Sequence, residues 1–159
     1  KGRHMEIADI EMVLSECELF SGLADEAVSK VAAVCRSRSY DRGATVYEQG
    51  DAGTHLYVIA DGQVVLERTL DMGARQARVV IARLGRGRVF GCWSNLLNEP
   101  HIMMLRTFCQ APSTILTLPG AELRELMVQN PHLGFAIMEK LCFLLRERIQ
   151  SAYGAMEKM

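Results

Sequence analysis

Arg42-Gly43-Ala44-Thr45-Val46-Tyr47-Glu48-Gln49-Gly50-Asp51, then Leu56-Tyr57-Val58-Ile59-Ala60-Asp61-Gly62, then Leu84-Gly85-Arg86-Gly87-Arg88-Val89-Phe90-Gly91, decide the fold. Each is a short apolar run closed by glycine, the signature of brief strands separated by tight turns. Asp61-Gly62 stands between Leu56–Ile59 and Gln63-Val64-Val65-Leu66-Glu67 and reads as a hairpin turn, because such turns need positive φ. Val79–Ala82, Met103–Cys109 and Thr114–Leu118 read as further strands, and Arg88–Phe90 as the strand of the last quoted run. About eight short strands at this spacing, from Ser39 to Leu118, predict a sandwich, jelly roll or barrel.

The flanks change period. Ile10, Val13 and Leu14, then Val28, Val31, Ala32 and Cys35, recur at helical spacing, with Asp25 placed to cap the second helix. Leu19–Leu23 forms an apolar elbow between the two. After Pro119, Gly120–Gln129 reads as a short helix, and Asn130-Pro131 opens a long one, proline being tolerated in a first turn. The long helix carries two interleaved sevenfold series, Phe135, Cys142, Ile149, Met156 and Met138, Leu145, Ala152, Met159. Their 3,4 spacing predicts a parallel homodimer seam through Met138, Cys142, Leu145, Ile149, Ala152 and Met156. The other reading packs the stripe on the chain's own strands.

The 159 residues read as one domain. Residues 1–4 look like a tag remnant, 5–36 the N-terminal helices, 37–118 the β-roll and 119–159 the C-terminal helices. The class is therefore α+β, mainly β: an eight-stranded antiparallel roll framed by helices. A net charge of -1 argues against nucleic-acid contact by this domain itself. No apolar run approaches the roughly 20 residues of a membrane span, and no secretory signal pattern is visible. The odd count of five cysteines, without a CxxC pair, fits reduced thiols in the cytoplasm. His55, His101 and His132 lack metal-ligand spacing, and the histidine cluster of a cupin-type enzyme is absent. No catalytic or metal-binding residue is assigned.

Taken together, the three glycine-punctuated runs and the framing helices resemble the cyclic-nucleotide-binding domain family over about residues 10–157. Leu84–Gly91 is close to that family's L-G-x-G-D-x-F-G. The resemblance implies a regulatory sensor of the kind found in catabolite-activator-like transcription factors, kinase regulatory subunits and gated channels. It also implies a ligand pocket at Phe90, Gly91, Cys92, Trp93, Ser94, Pro100, His101, Ile102 and Met103, where a helical turn would offer free amides to a phosphate.

Two departures stand out. The family's motif is similar to F-G-E-[LI]-[AS]-L … P-R-[AS]-A, with the glutamate on the ribose hydroxyl and the arginine forked onto the phosphate. Here Cys92 holds the acid's place and His101 the arginine's; Ile102 replaces a small residue, and Arg88 stands where an acid is usual. A hydrogen bond to a charged group is worth about 1.5–3 kcal/mol. Losing the fork and the ribose bond costs on the order of 4–6 kcal/mol, roughly a thousandfold in affinity. The expected ligand is a weakly held cyclic nucleotide or another small anion; a ligand-free dimerisation module is the alternative. His101 reads as pocket wall or, when protonated, a phosphate partner; Cys92 as a space-filling thiol or a thiol sensor; Trp93 as core or a stacking platform. Arg75, Arg78, Arg83, Arg86 and Arg88 read as a solvated hairpin face or a docking surface. Transcription-factor relatives place a helix-turn-helix where this sequence stops, at Met159. That leaves open a sensor half, another output domain, or none.

Overall fold

The computed structural model describes residues 4–99 and 101–159. Helices α1 (Ile7–Glu16) and α2 (Asp25–Val34) precede ten strands among the described residues: β1 (Arg36–Tyr40), β2 (Thr45–Tyr47), β3 (Ala52–Gly53), β4 (His55–Asp61), β5 (Val64–Asp71), β6 (Gln76–Leu84), β7 (Val89–Gly91), β8 (His101–Ile102), β9 (Arg106–Cys109) and β10 (Ser113–Pro119). A 3₁₀ turn, Trp93–Leu97, separates β7 from β8, and α3 (Gly120–Gln129) and α4 (Pro131–Glu157) end the chain.

The strands form two four-stranded antiparallel sheets, ordered β1-β10-β4-β7 and β2-β9-β5-β6, with β3 and β8 as a small third pair. This is the expected α+β roll, with two more strands than the glycine spacing announced. The additional pair, β3 and β8, is only two residues per strand, too short to leave a periodic trace. β1 begins at Arg36, which the helical reading of 5–36 had included; α2 stops at Val34 and Arg36 already pairs with Thr117.

Asp61-Gly62 is not a hairpin. β4 and β5 lie in different sheets, and Gly62 (φ 98°) turns the corner between them. A Cβ there would stand 2.2 Å from Ser113 Oγ and 2.6 Å from the Pro112 carbonyl oxygen. The β5–β6 hairpin closes instead around Met72–Arg75, where Asp71 accepts from the Gly73 amide. The apolar-run signal located the turn, but a tight turn leads to a hairpin only if both strands join one sheet.

Two further expectations change in detail. Asp25 is the first helical residue rather than the cap; Ala24 holds the cap position with no side-chain hydrogen bond, and the Asp25 carboxylate lies at the helix's positive end. Met103–Leu105 stay outside β9, because Met103 exchanges backbone hydrogen bonds with Gly50 and Asp51. Asn130-Pro131 opens α4 as read, and Asn130 proves to be its cap, accepting from the Leu133 amide with Pro131 in the first turn.

The core has two parts. Leu56, Val58 and Ala60 of β4, with Leu116 and Leu118 of β10, meet Leu14, Phe20, Val31, Leu123, Ile137 and Leu141 from the helices. Ile59 and Ile115, on the opposite faces of the same strands, meet Val64, Leu66, Leu84, Phe90 and Cys109 inside the roll. Each fully buried side chain of this size contributes about 1.5–3 kcal/mol. Burial pushes the Cys17 thiol up to about 11 and Cys35 up to about 12. Both are space-filling hydrophobes, as read.

Gly62→Ala should therefore lose clearly more stability than Gly43→Ala in urea unfolding. Both carry positive φ, but nothing lies within 4 Å of a Cβ at Gly43. The expected costs are about 1 kcal/mol at Gly43, from backbone strain alone, and at least about 2–3 kcal/mol at Gly62. Equal losses would contradict the crowded corner.

Candidate ligand pocket

The pocket begins at Gly91. Its φ of 120° lets β7 run hard against β4: a Cβ would lie 2.6 Å from the His55 carbonyl oxygen. Tyr57 pairs with Phe90, and their rings stack at 5.1 Å, with Tyr47 6.1 Å from Phe90. The chain then leaves the sheet through Cys92, whose amide donates to the same His55 oxygen at 2.9 Å. That amide is spent on the sheet, not left free. The 3₁₀ turn follows, with Asn95 donating to the Gly53 carbonyl at 2.8 Å and Arg124 donating to the Leu96 carbonyl.

Over this turn lies a cavity of about 370 Å³. Of the residues the resemblance assigns to a ligand pocket, Phe90, Gly91, Cys92, Trp93, Ser94, His101 and Met103 border it. Ile102 does not: it is exposed, paired with Ala52 in the β3–β8 ladder. Pro100 lies outside the described residues. Cys92 is buried against Gly53 and Met103, so tightly that a Cβ on Gly53 would fall 2.7 Å from its sulfur. Trp93 is half-buried and packs on the helical core while lining the cavity.

Sequence reasoning missed the other walls. Tyr47, Leu66, Arg68 and Ile81 enter from β2, β5 and β6; Met104 and Leu105 follow β8; Leu145, Arg148, Ile149 and Ala152 descend from α4. Alternation along the strands marks Leu66 and Arg68 as one face, but only tertiary contact reveals that α4 roofs it. Three residues of the expected dimer seam, Leu145, Ile149 and Ala152, thus face the roll's own cavity. Met138 packs on the helical core, while Cys142 and Met156 are exposed. Ile149 remains 53% exposed although it touches the cavity, so one turn of α4 serves both directions.

The arginine concentration dissolves into separate tasks. Arg83 donates to Gln110, Arg86 pairs with Glu16, and Arg88 reaches Glu18 at 2.8 Å and Glu147 at 2.5 Å. Glu18 also accepts from the Val89 amide at 2.7 Å and lies 3.8 Å from Arg148. Arg88 therefore ties the α1–α2 elbow and the pocket strand β7 to the roof helix. Burial works against its charge, but Glu147 and Glu18 more than offset this and raise its pKa. For Arg148 burial prevails and the pKa is lowered. Tyr47 is raised, mainly by burial.

The family profile of the cyclic nucleotide-binding domain matches residues 37–130, more than half of the chain. The chain belongs to the cyclic nucleotide-binding domain family. That family is a regulatory sensor fold rather than a catalytic one. This cyclic nucleotide-binding domain is 41% identical over 81 residues to the cyclic AMP receptor protein of Thermus thermophilus, covering 51% of this chain and 36% of the receptor. It is 29% identical over 148 residues to a cGMP-dependent protein kinase of Caenorhabditis briggsae, covering 91% of this chain and 19% of the kinase. The chain thus spans about a third and a fifth of these relatives' lengths. A cyclic nucleotide-binding domain from Methylobacillus flagellatus has the same fold, with 20% identity and a TM-score of 0.79 over 99% of this chain and 89% of that one. Among the described residues, no group of histidine, cysteine and acidic side chains is arranged to hold a metal ion, and no helix is long and apolar enough to cross a membrane.

The roof of this cyclic nucleotide-binding domain is held partly by charge. A double-mutant cycle of Arg88→Met with Glu147→Gln should show a coupling of about 0.5–1 kcal/mol in urea unfolding, modest because both side chains are substantially exposed. The coupling should shrink as salt is raised to about 0.5 M.

Proposed function

We propose that this chain is the effector-sensing domain of a catabolite-activator-like bacterial regulator, acting in the cytoplasm, with cyclic nucleotide binding much weakened. The observation that carries this reading is the pocket itself. It is open and roofed by α4, yet the acid's place holds the packed thiol of Cys92 and the arginine's place holds His101. The spent Cys92 amide points the same way, because it removes one donor from the turn that would cradle a phosphate. The likeness to the Thermus receptor supports the regulator assignment. The four buried cysteines, all unpaired, are compatible with a reducing compartment.

Titration calorimetry with cyclic AMP tests it. The unmodified domain should bind no tighter than high micromolar. Cys92→Glu combined with His101→Arg should tighten binding at least tenfold, with Ile102→Ala added if the loop is too bulky. A low-micromolar dissociation constant for the unmodified domain would overturn the reading. A pocket that takes no small molecule in any form would favour the ligand-free interaction module.

The same reading includes a parallel homodimer through α4. Phe135, Cys142, Ile149 and Met156 recur every seven residues and are all exposed, an apolar stripe of which only Ile149, among these four, also borders the cavity. In register, the two copies' Cys142 residues would face one another. Mild oxidation should therefore give a disulfide-linked dimer that Cys142→Ser abolishes. Phe135→Glu with Met156→Glu should leave a monomer in light scattering with the roll still folded. A monomeric unmodified domain at tens of micromolar would sink this part.

A further inference from the structure

The cavity carries more positive charge than the loss of its usual arginine suggests. Two guanidinium groups the sequence reading did not assign, Arg68 on β5 and Arg148 on α4, border it together with His101, and no bordering residue is acidic. Arg68 is anchored by a 2.7 Å hydrogen bond to the Met104 carbonyl. Arg148 is more telling. Its side chain is only 13% exposed, and its one hydrogen-bond acceptor among the described residues is the Val89 carbonyl at 2.8 Å. The nearest carboxylate, Glu18, is 3.8 Å away and already engaged by Arg88 and the Val89 amide. A guanidinium has five N–H donors in a planar fork, and most of this one's are unspent. A largely buried cation whose nearest carboxylate is 3.8 Å away and shared with Arg88 gains from any anion that completes it.

The rest of the cavity specifies what that something is attached to. Leu66, Ile81, Phe90, Met103, Leu105 and Ile149 offer hydrocarbon, aromatic and thioether surface. Uncharged hydrogen-bonding groups are scarce, chiefly the Ser94 hydroxyl and the Tyr47 phenol. A ribose and a purine would bring many polar atoms into this space and leave most unsatisfied. The volume lies at the small end of the range of ligand pockets, about 300–1,000 Å³.

We propose that the effector is a small amphipathic carboxylic acid, its carboxylate forked on Arg148 with Arg68 in support, its apolar body filling the roll. This rests on the reading of the cavity as an effector site and names the ligand class. The geometry also gives the ligand a handle on α4. A carboxylate on Arg148 would share the guanidinium that also holds the Val89 carbonyl and faces Glu18, the contacts that tie this turn of the roof to β7 and the elbow.

Calorimetry and thermal-shift measurements with octanoate, 3-phenylpropanoate, octanamide, 3-phenylpropanamide, acetate and cyclic AMP test the idea. At least one of the two longer acids should bind tenfold or more tightly than its amide and than acetate. Arg148→Gln, which keeps a donor for Val89, should abolish that discrimination; Arg148→Lys should restore it in part; Arg68→Gln should weaken it less. Circular dichroism and urea unfolding establish that each variant is folded, and should Arg148→Gln fail to fold, the acid-against-amide comparison on the unmodified domain decides. Acids binding no better than amides, or no better than acetate, would overturn the carboxylate proposal while weak cyclic AMP binding left the broader reading intact. Low-micromolar cyclic AMP binding that Arg148→Gln leaves unchanged would overturn both.

Discussion

β4 is buried on both faces, and the arrangement of everything else follows from that. Leu56, Val58 and Ala60 point to the helical layer, while Ile59 points into the roll. A strand buried on both sides must be paired along both edges, because an unpaired backbone donor inside a protein costs about 1–3 kcal/mol. β10 satisfies one edge over most of its length, and β7 satisfies the other from Leu56 to Val58. β7 comes close enough only because Gly91 has no side chain to meet the His55 carbonyl. The pocket floor is therefore a consequence of how the central sheet completes its hydrogen bonds. The Cys92 amide, which a phosphate cradle would want free, is used for the same purpose.

The second dependency is the roof. α4 starts as an ordinary buried helix, with Leu133, Ile137, Leu141 and Leu144 against the core. Farther along, its apolar residues are divided between the cavity and open solvent. At that point hydrophobic contact no longer specifies a single position, and the ion pairs of Glu147 and the Glu18–Arg88 group contribute to it. Such contacts are individually small and partly screened. A roof of this kind can shift at modest cost. The arginine that replaces the family's usual acid at position 88 is, structurally, the hub of that attachment.

How much of this was legible in the chain depends on the range of the interactions involved. Glycine-closed apolar runs announced β2, β4, β5 and β7, and the 3.6-residue period announced α1, α2 and the buried start of α4, because both are local consequences of steric and burial periodicity. The glycine at position 62 reads as a turn and is one, and the residues from Phe90 to Ser94 border a cavity. Strands of two residues, such as β3 and β8, leave no pattern to read.

By itself the sequence determined the class of fold, the order of its elements, and the presence of Cys92 and His101 in the segment that borders the cavity. Only the tertiary structure decided which sheet each strand joins, so that Asp61-Gly62 became a corner between sheets and Ile102 a solvent-facing ladder residue. It alone brought Arg68 and Arg148, 80 residues apart in sequence, to one cavity. It also turned part of an apparent dimer seam inward as a roof. The physical reason is the same in each case. Periodicity records that a residue will be buried or exposed, whereas the identity of what it is buried against depends on chain segments with no local relation to it.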